Sequence, residues 1–142
     1  MVEKRITDDD GFAVLGAEQA KASGAYYTPK IWVDRAQEYM EKYITGDRGF
    51  VFYMNPPYEK DRDMKFFQRA AQLARNFNLR SCYICAFSKP WWIAPHNQKA
   101  ADDFLDEFRY IAGFCFDSRE FKHITAPWGV YFSIWKRKAG EL

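Results

Sequence analysis

The chain has 142 residues, and 21 Lys and Arg stand against 19 Asp and Glu, which gives a net charge of only +2. Hydrophobic residues make up 48% of the chain and aromatic residues 19%. This composition can bury a core, which excludes an intrinsically disordered tail and predicts about one domain. Because no long apolar run occurs, we also expect no transmembrane helix and no membrane partner.

The N-terminal residues 1–24 are predicted to form an arm rather than part of the core. They are acidic, weakly periodic and rich in Gly and Ala, and Asp8 to Asp10 occupy the place where a secretory signal would be apolar. We expect little order in this arm unless it docks on the core or on a partner.

Three cysteines occur, and an odd number predicts free thiols in a reducing compartment. Cys82 and Cys85 match the C-x-x-C spacing but lie within an apolar run, where cysteine behaves as a small hydrophobic residue. A zinc site would need two more ligands, and the only histidines are His96 and His123. We therefore expect no metal.

The first predicted element beyond the arm is a helix that begins after the turn 24–29. Thr28 suits the N-cap and Pro29 the first helical position, and the helix ends near Ile44. Phe50–Met54 is then a continuous apolar run, which predicts a strand buried on both faces. Two prolines end that strand.

A helix from about Asp63 to Asn76 follows, and a second buried strand covers 81–87. The apolar stripe of the helix is predicted to contain Phe66, Ala70, Leu73 and Phe77. The loop 88–95 carries aromatic residues that look exposed.

The last predicted elements are a helix over 97–108 and strands over 110–116 and 130–135. The helix residues expected to face inward are Ala101, Phe104, Leu105 and Phe108. The alternation of strands and helices predicts an α/β sheet of about four strands with flanking helices. Ligands of such sheets lie beyond the carboxyl ends of the strands, where Asn55-Pro56-Pro57-Tyr58 and Ser88-Lys89-Pro90-Trp91 are placed.

The motif Asn55-Pro56-Pro57-Tyr58 is the most informative feature of the sequence. Proline fixes its own φ and restricts the preceding residue to extended backbone, so three successive residues are nearly rigid. The Asn side chain and the next carbonyl can then present two acceptors to an exocyclic amine, and the aromatic ring can stack on the base that carries it. The alternative is a proline-rich turn that only ends a strand.

This motif after a buried strand resembles the signature of the N6-adenine-specific amino-DNA methyltransferases, which use S-adenosylmethionine. Residues 24–29 resemble the Tyr-Thr-Pro turn that opens members of that family, and 114–118 with 128–135 are similar to its last two strands. The resemblance covers roughly residues 23–138. It implies a partial doubly wound, Rossmann-like methyltransferase domain over 25–142 with DNA as its partner. It also implies a cytoplasmic protein of bacterial or phage origin.

The resemblance also implies roles for individual residues. Asn55 and Pro56 would accept hydrogen bonds from the adenine amine, Pro57 completes the rigid turn, and Tyr58 would stack on the flipped base. Tyr27 and Thr28 would contact the methionine end of S-adenosylmethionine. The amine nitrogen would displace the sulfonium methyl group in line.

Further residues are suggested for the base or the DNA. Phe121 or Trp128 would pack on the other face of the flipped base, and the sequence does not decide between them. Trp91 and Lys89 lie in a loop placed like a base-pocket or DNA-facing loop, and buried packing is an equal alternative for the aromatic pair 91–92.

The chain departs from the family between its two motifs. The family places there a glycine-rich loop that cradles the cofactor and an acidic residue that holds its ribose, whereas this chain has only residues 45–49. It could be a truncated enzyme, a remnant without methyl transfer, or a subunit whose cofactor half another chain supplies. Such a sheet should expose an edge, so we expect a homo-oligomer or a complementing subunit.

Two readings of other classes therefore stand beside an N6-adenine DNA methyltransferase. One is a catalytically inactive DNA-binding module derived from that family, and the other is an interaction domain in which the motif is inert. The mild basic excess within 60–80 and 136–138 is by itself explained by solvated surface residues. Beside the motif, it slightly favours contact with nucleic acid over an interaction domain.

Overall fold

The computed structural model of the chain describes residues 28–44, 49–57, 59–116 and 129–138. The described part contains three helices and four strands. The helices are α1 (Lys30–Tyr43), α2 (Arg62–Asn76) and α3 (Gln98–Glu107), and the strands are β1 (Phe50–Met54), β2 (Cys82–Ser88), β3 (Phe108–Phe116) and β4 (Val130–Arg137). Short 3₁₀ turns cover Glu59–Asp61, Trp91–Ile93 and Pro95–Asn97.

The four strands form one mixed sheet in the order β1-β2-β4-β3. β1 runs parallel to β2, with Phe50 opposite Cys82, and β4 is inserted antiparallel between β2 and β3. The predicted α/β sheet of four strands with flanking helices is thereby confirmed at this coarser level.

Helices cover both faces of the sheet and create two cores. On one face α2 and α3 contribute Phe67 and Phe104, which pack with Ile84 and Trp135 of the sheet. On the other face α1 contributes Ala36, and the sheet residues packed around it are Tyr83, Cys85, Phe87, Phe132 and Ile134. Because β2 is covered on both faces, all seven of its residues are buried, as its continuous apolar run predicts.

β1 corrects the prediction of a strand buried on both faces. It lies at the edge of the sheet, and its Phe50, Val51 and Tyr53 are 59%, 44% and 46% exposed. The apolar run indicates a strand that is suited to burial. The position of β1 in the sheet, however, decides how much of the strand the other described residues cover. An exposed apolar edge is what a partial sheet was expected to leave.

The predicted stripe of α2 is wrong by one position at its start. Phe67 is fully buried, whereas Phe66 is 43% and Phe77 70% exposed. The residues of α2 that face the sheet are Asp63, Phe67, Ala70, Ala71 and Ala74, which recur at helical spacing. In α3 the prediction holds for Ala101, Phe104 and the following Phe108, but Leu105 is 39% exposed.

The two cysteines of β2 lie in the core, as the sequence predicts for small hydrophobic residues. Burial raises the pKa of the Cys82 thiol to about 11 and that of Cys85 to about 12. Both thiols are therefore protonated at neutral pH and are poor nucleophiles.

Membrane-spanning helices and metal-binding groups are both absent from the described residues. None of the described helices is long and apolar enough to cross a membrane. Within the same ranges, no group of three or more His, Cys, Asp and Glu side chains is placed to hold a metal ion.

Candidate functional site

The carboxyl ends of β1 and β2 lie side by side, because these strands are parallel neighbours. We call this end of the sheet its carboxyl edge, as distinct from the side formed by the outermost strand β1. Asn55 directly follows β1, and Lys89 directly follows β2. The end of β3 and the start of β4 meet at the same edge, where Phe116 lies opposite Val130. This edge is where α/β sheets bind ligands, and it brings together residues from distant parts of the sequence.

Asn55 and Thr28 are in direct contact at this edge although 27 positions separate them. The Asn55 Nδ2 donates a hydrogen bond of 2.8 Å to the Thr28 hydroxyl. With its nitrogen engaged in this bond, the amide turns its Oδ1 away from Thr28, where that oxygen can accept from a ligand. Asn55 is itself exposed, so its amide is within reach of a ligand.

Thr28 holds this position because the start of α1 is fixed at the same edge. Trp32, in the first turn of α1, stacks on Phe116 at the end of β3, with ring centroids 4.6 Å apart. The predicted capping role of Thr28 is wrong: Pro29 is the N-cap residue of α1, and no side chain caps it. The N–H groups of Trp32 and Val33 bond to the Pro29 carbonyl, and the Thr28 hydroxyl accepts from Asn55 instead of capping the helix.

The two prolines anchor the turn that carries Asn55. Pro56 is buried and Pro57 half-buried, while the preceding Asn55 remains exposed. A rigid, partly buried turn with one exposed amide is the arrangement that the motif predicts. Tyr58, the predicted stacking residue, lies outside the described residues.

A buried carboxylate lies under the loop that follows the motif. Asp63 has no exposed surface, and its Oδ2 accepts from the backbone N–H of Lys89 at 2.9 Å. Its Oδ1 accepts from the backbone N–H of Met64 at 3.0 Å. Burial raises the pKa of Asp63 to about 6, although the charge of Lys89 acts in the opposite direction. Asp63 thus joins the start of α2 to the end of β2.

Asp61 adds a second link at the same place. It accepts from the Lys89 ammonium group at 3.1 Å and lies 3.1 Å from His96 Nε2. Burial by itself raises the pKa of Asp61, but the hydrogen bonds from Lys89 and His96 and the charge of Lys89 hold it below its ordinary value. Asp61 and Lys60 have φ of 57° and 52°, a conformation that costs energy in residues other than glycine. The ion pairs compensate this cost and fix the loop.

Lys89 is therefore a member of this charged cluster, formed by Asp61, Asp63, Lys89 and His96. The sequence suggests Lys89 as a DNA contact, and the structure places its ammonium group 3.1 Å from Asp61 and 4.0 Å from Asp63. Its contribution in the described residues is to hold the loop between β1 and α2 against the end of β2.

Trp91 requires a correction, since the sequence suggests it as an exposed aromatic of the loop after β2. The side chain is only 1% exposed and packs edge-on against Phe67 and Phe104 of the core. Trp92 is half-buried and contacts Trp135. The exposed apolar residue of this turn is Ile93.

Three members of the charged cluster, Asp61, Asp63 and His96, are not among the residues that sequence reasoning singles out. For Asp63 a signal was present, because it shares the helical spacing of the buried Phe67, Ala70 and Ala74. A carboxylate on a buried stripe needs a partner. For Asp61 and His96, which are 35 positions apart, no sequence pattern indicates the contact.

The remaining predicted residues lie outside the described part of the chain. They are Tyr27, Tyr58, Phe121 and Trp128. The described residues that flank segment 117–128, Phe116 and Gly129, are both at the edge that carries Asn55.

An open apolar groove of about 850 Å³ lies at the opposite end of the strands, where β1 and β2 begin, between β1 and the end of α2. The side chains around it include Phe50, Phe52, Leu73, Phe77 and Leu79. It contains none of the motif residues, so it is separate from the site at Asn55.

Comparison of the chain with protein-family models, with curated proteins and with solved structures finds no match in any of the three. A function is therefore inferred from the site itself.

Proposed function

We propose that this chain is an N6-adenine DNA methyltransferase domain that provides the target-base side of the active site. The observation that carries the proposal is the hydrogen bond between Asn55 and Thr28. These residues belong to the two motifs that resemble the methyltransferase family, and they meet at the ligand-binding edge of an α/β sheet. A proline-rich turn that only ended a strand would not require this contact.

The chain's own residues would hold the amine of a flipped adenine. The Asn55 Oδ1 and the Pro56 carbonyl accept its two N–H groups, which concentrates electron density on the nitrogen that is to be methylated. Rigid acceptors need little reorganisation when they bind the amine, so positioning supplies much of the rate. The carboxylates of the charged cluster are bound to Lys89 and His96. We therefore assign them to holding the loop rather than to proton transfer.

The described residues do not fit the whole of S-adenosylmethionine. The resemblance implies that Thr28 would contact the methionine end of that cofactor, but α1 and β1 are joined only by residues 44–49. This connection has no room for a glycine-rich strand and loop. β1 is the edge strand among the described residues, and no described strand lies beyond it, where a cofactor-binding half would continue the sheet. The cofactor side of the site would have to come from elsewhere, and we propose a complementing subunit or further chain.

The proposal is tested by two measurements on the chain purified together with the complementing subunit that it captures, with and without Asn55→Ala. Calorimetric titration measures binding of S-adenosylmethionine, and a radiolabelled methyl group measures transfer to N6 of adenine in DNA. Transfer that disappears in Asn55→Ala supports the enzyme.

The alternative of a catalytically inactive DNA-binding module is favoured by the same missing cradle. It predicts no binding of S-adenosylmethionine, no transfer, and DNA binding that weakens with salt. Loss of DNA binding as well would leave only an interaction domain.

A further inference from the structure

α2 carries a row of three basic side chains on the side turned away from the sheet. Arg62, Lys65 and Arg69 are exposed and recur at i, i+3 and i+7, which places them along one side of the helix. The buried residues of α2, such as Phe67 and Ala71, point the opposite way. We refer to Arg62, Lys65 and Arg69 as the basic row.

The basic row is not neutralised within the described part of the chain. Neither Arg62 nor Lys65 has an ion pair there, and Arg69 donates to the neutral side chain of Gln72 at 2.7 Å. Of the nearby acids whose side chains the structure describes, Asp63 is buried and Asp61 is paired with Lys89. Among the described residues, the positive charge of the row therefore faces solvent.

The other two helices pair their charges in the usual way. Lys30 pairs with Asp34 on α1, and Lys99 pairs with Asp103 on α3, both at i and i+4. The exposed residues of α3 also include Asp102 and Asp106, so that helix is acidic overall. Among the described helices, the arrangement on α2 is thus distinct.

The row is unfavourable for the helix by itself. Lys65 and Arg69 are like charges one turn apart, and Arg62 places a positive charge at the positive end of the helix dipole. A face that only needed to be solvated would gain stability from alternating charges. A negatively charged partner removes both penalties.

We propose that the basic row binds the phosphate backbone of the DNA that presents its base to Asn55. α2 begins soon after the motif, and the charged cluster fixes its first turn to the same sheet edge. The row extends about 10 Å along the helix, which corresponds to about three phosphates of one DNA strand. The proposal rests on the proposed function for the identity of the nucleic acid, but it is testable without adenine recognition.

The test measures the salt dependence of binding to a duplex of about 20 G·C pairs, which contains no adenine. The variant Arg62→Gln/Lys65→Gln/Arg69→Gln removes the row and leaves the core of α2 unchanged. Each phosphate contact contributes about 0.9 to the slope of log K against log salt concentration, so we expect the slope to fall by about two to three.

The control variant is Arg35→Gln/Lys42→Gln/Arg109→Gln. It removes the same charge from exposed residues that lie outside α2 and outside the basic segments 60–80 and 136–138. We expect its slope to equal that of the unmodified chain. Equal slopes in all three proteins, or equal losses in both variants, would overturn the proposal. Because the duplex lacks adenine, failure of base recognition at Asn55 would leave this result unaffected.

Discussion

At the scale of single residues, the proposed function depends most on the orientation of the Asn55 side-chain amide. A side-chain amide can present its oxygen or its nitrogen, and only the oxygen accepts from an amine. The bond from Nδ2 to Thr28 selects the useful orientation. The sequence indicates both residues, and for Thr28 it predicts capping of the helix and contact with the cofactor. It does not predict that Asn55 and Thr28 touch, because a contact between residues 27 positions apart leaves no local pattern.

Thr28→Val should weaken recognition of the amine while preserving the shape of the side chain. The variant loses the oxygen that accepts from Asn55 Nδ2, at a cost of about 1 kcal/mol, or roughly fivefold in affinity. Competition binding with a single-stranded oligonucleotide that contains one adenine measures the loss. Thr28→Ser retains the hydroxyl and should bind like the unmodified chain, so similar losses in both variants would contradict this role.

Asp63 should make the stability of the chain depend on pH. Its pKa rises from an ordinary 3.8 to about 6 on folding, so the folded state holds the proton more tightly. The contribution of Asp63 to stability is then greatest below pH 4, and up to about 3 kcal/mol of it is lost as the pH rises from below 4 to above 6. Asp61, whose pKa is lowered, acts at lower pH and with the opposite sign.

Urea unfolding between pH 4 and pH 6 measures this effect. The matched variant is Asp63→Asn, whose side chain is neutral throughout, so its stability should change less over the same range. Equal pH dependence in both proteins would mean that Asp63 does not titrate in this window.

At the scale of elements, the order of helices and strands could be predicted, but their orientation could be predicted only in part. The apolar run of β2 and the alternation of elements are local signals, and the observed bounds agree with them within a few residues. The burial of β1 is set by its place at the edge of the sheet. The burial of Trp91 likewise depends on which elements pack together, which no local pattern encodes. The burial of Asp63, in contrast, follows the helical spacing of α2.

Which side of α2 packs against the sheet is tested by substituting two neighbouring phenylalanines. Phe67→Ala should lower the free energy of unfolding by about 3–5 kcal/mol, because Phe67 fills the core between α2 and the sheet. Phe66→Ala should cost less than about 1 kcal/mol, since Phe66 is 43% exposed. Urea unfolding compares them, and a reversed order would show that the predicted stripe was right.

At the scale of the whole molecule, the sheet has an uncovered edge among the described residues. Phe50, Val51 and Tyr53 of β1 are all more than 40% exposed, and edge strands of this kind tend to pair or to be covered. The same edge is where a cofactor-binding half would continue the sheet. On the proposed function, the exposed side of β1 is thus the surface that a complementing subunit would cover.

We therefore predict self-association of the purified chain or capture of a complementing subunit through β1. Light scattering over a range of concentrations should detect self-association, and Val51→Lys with Tyr53→Lys should reduce it, because charges on an edge strand oppose pairing. Phe77→Lys changes a more exposed apolar residue of the groove beside β1, 70% exposed, and serves as the comparison. A monodisperse monomer at high concentration, with no subunit captured, would contradict this prediction.

Recognition of the adenine amine through Asn55 is measured most directly by comparing two single-stranded oligothymidylates. One carries a central adenine and the other a central purine, which lacks only the amine. We predict that the unmodified chain binds the adenine strand roughly tenfold more tightly, that Asn55→Ala removes this preference, and that the exposed control Asn76→Ala retains it. Equal affinity of the unmodified chain for the two strands would contradict the account.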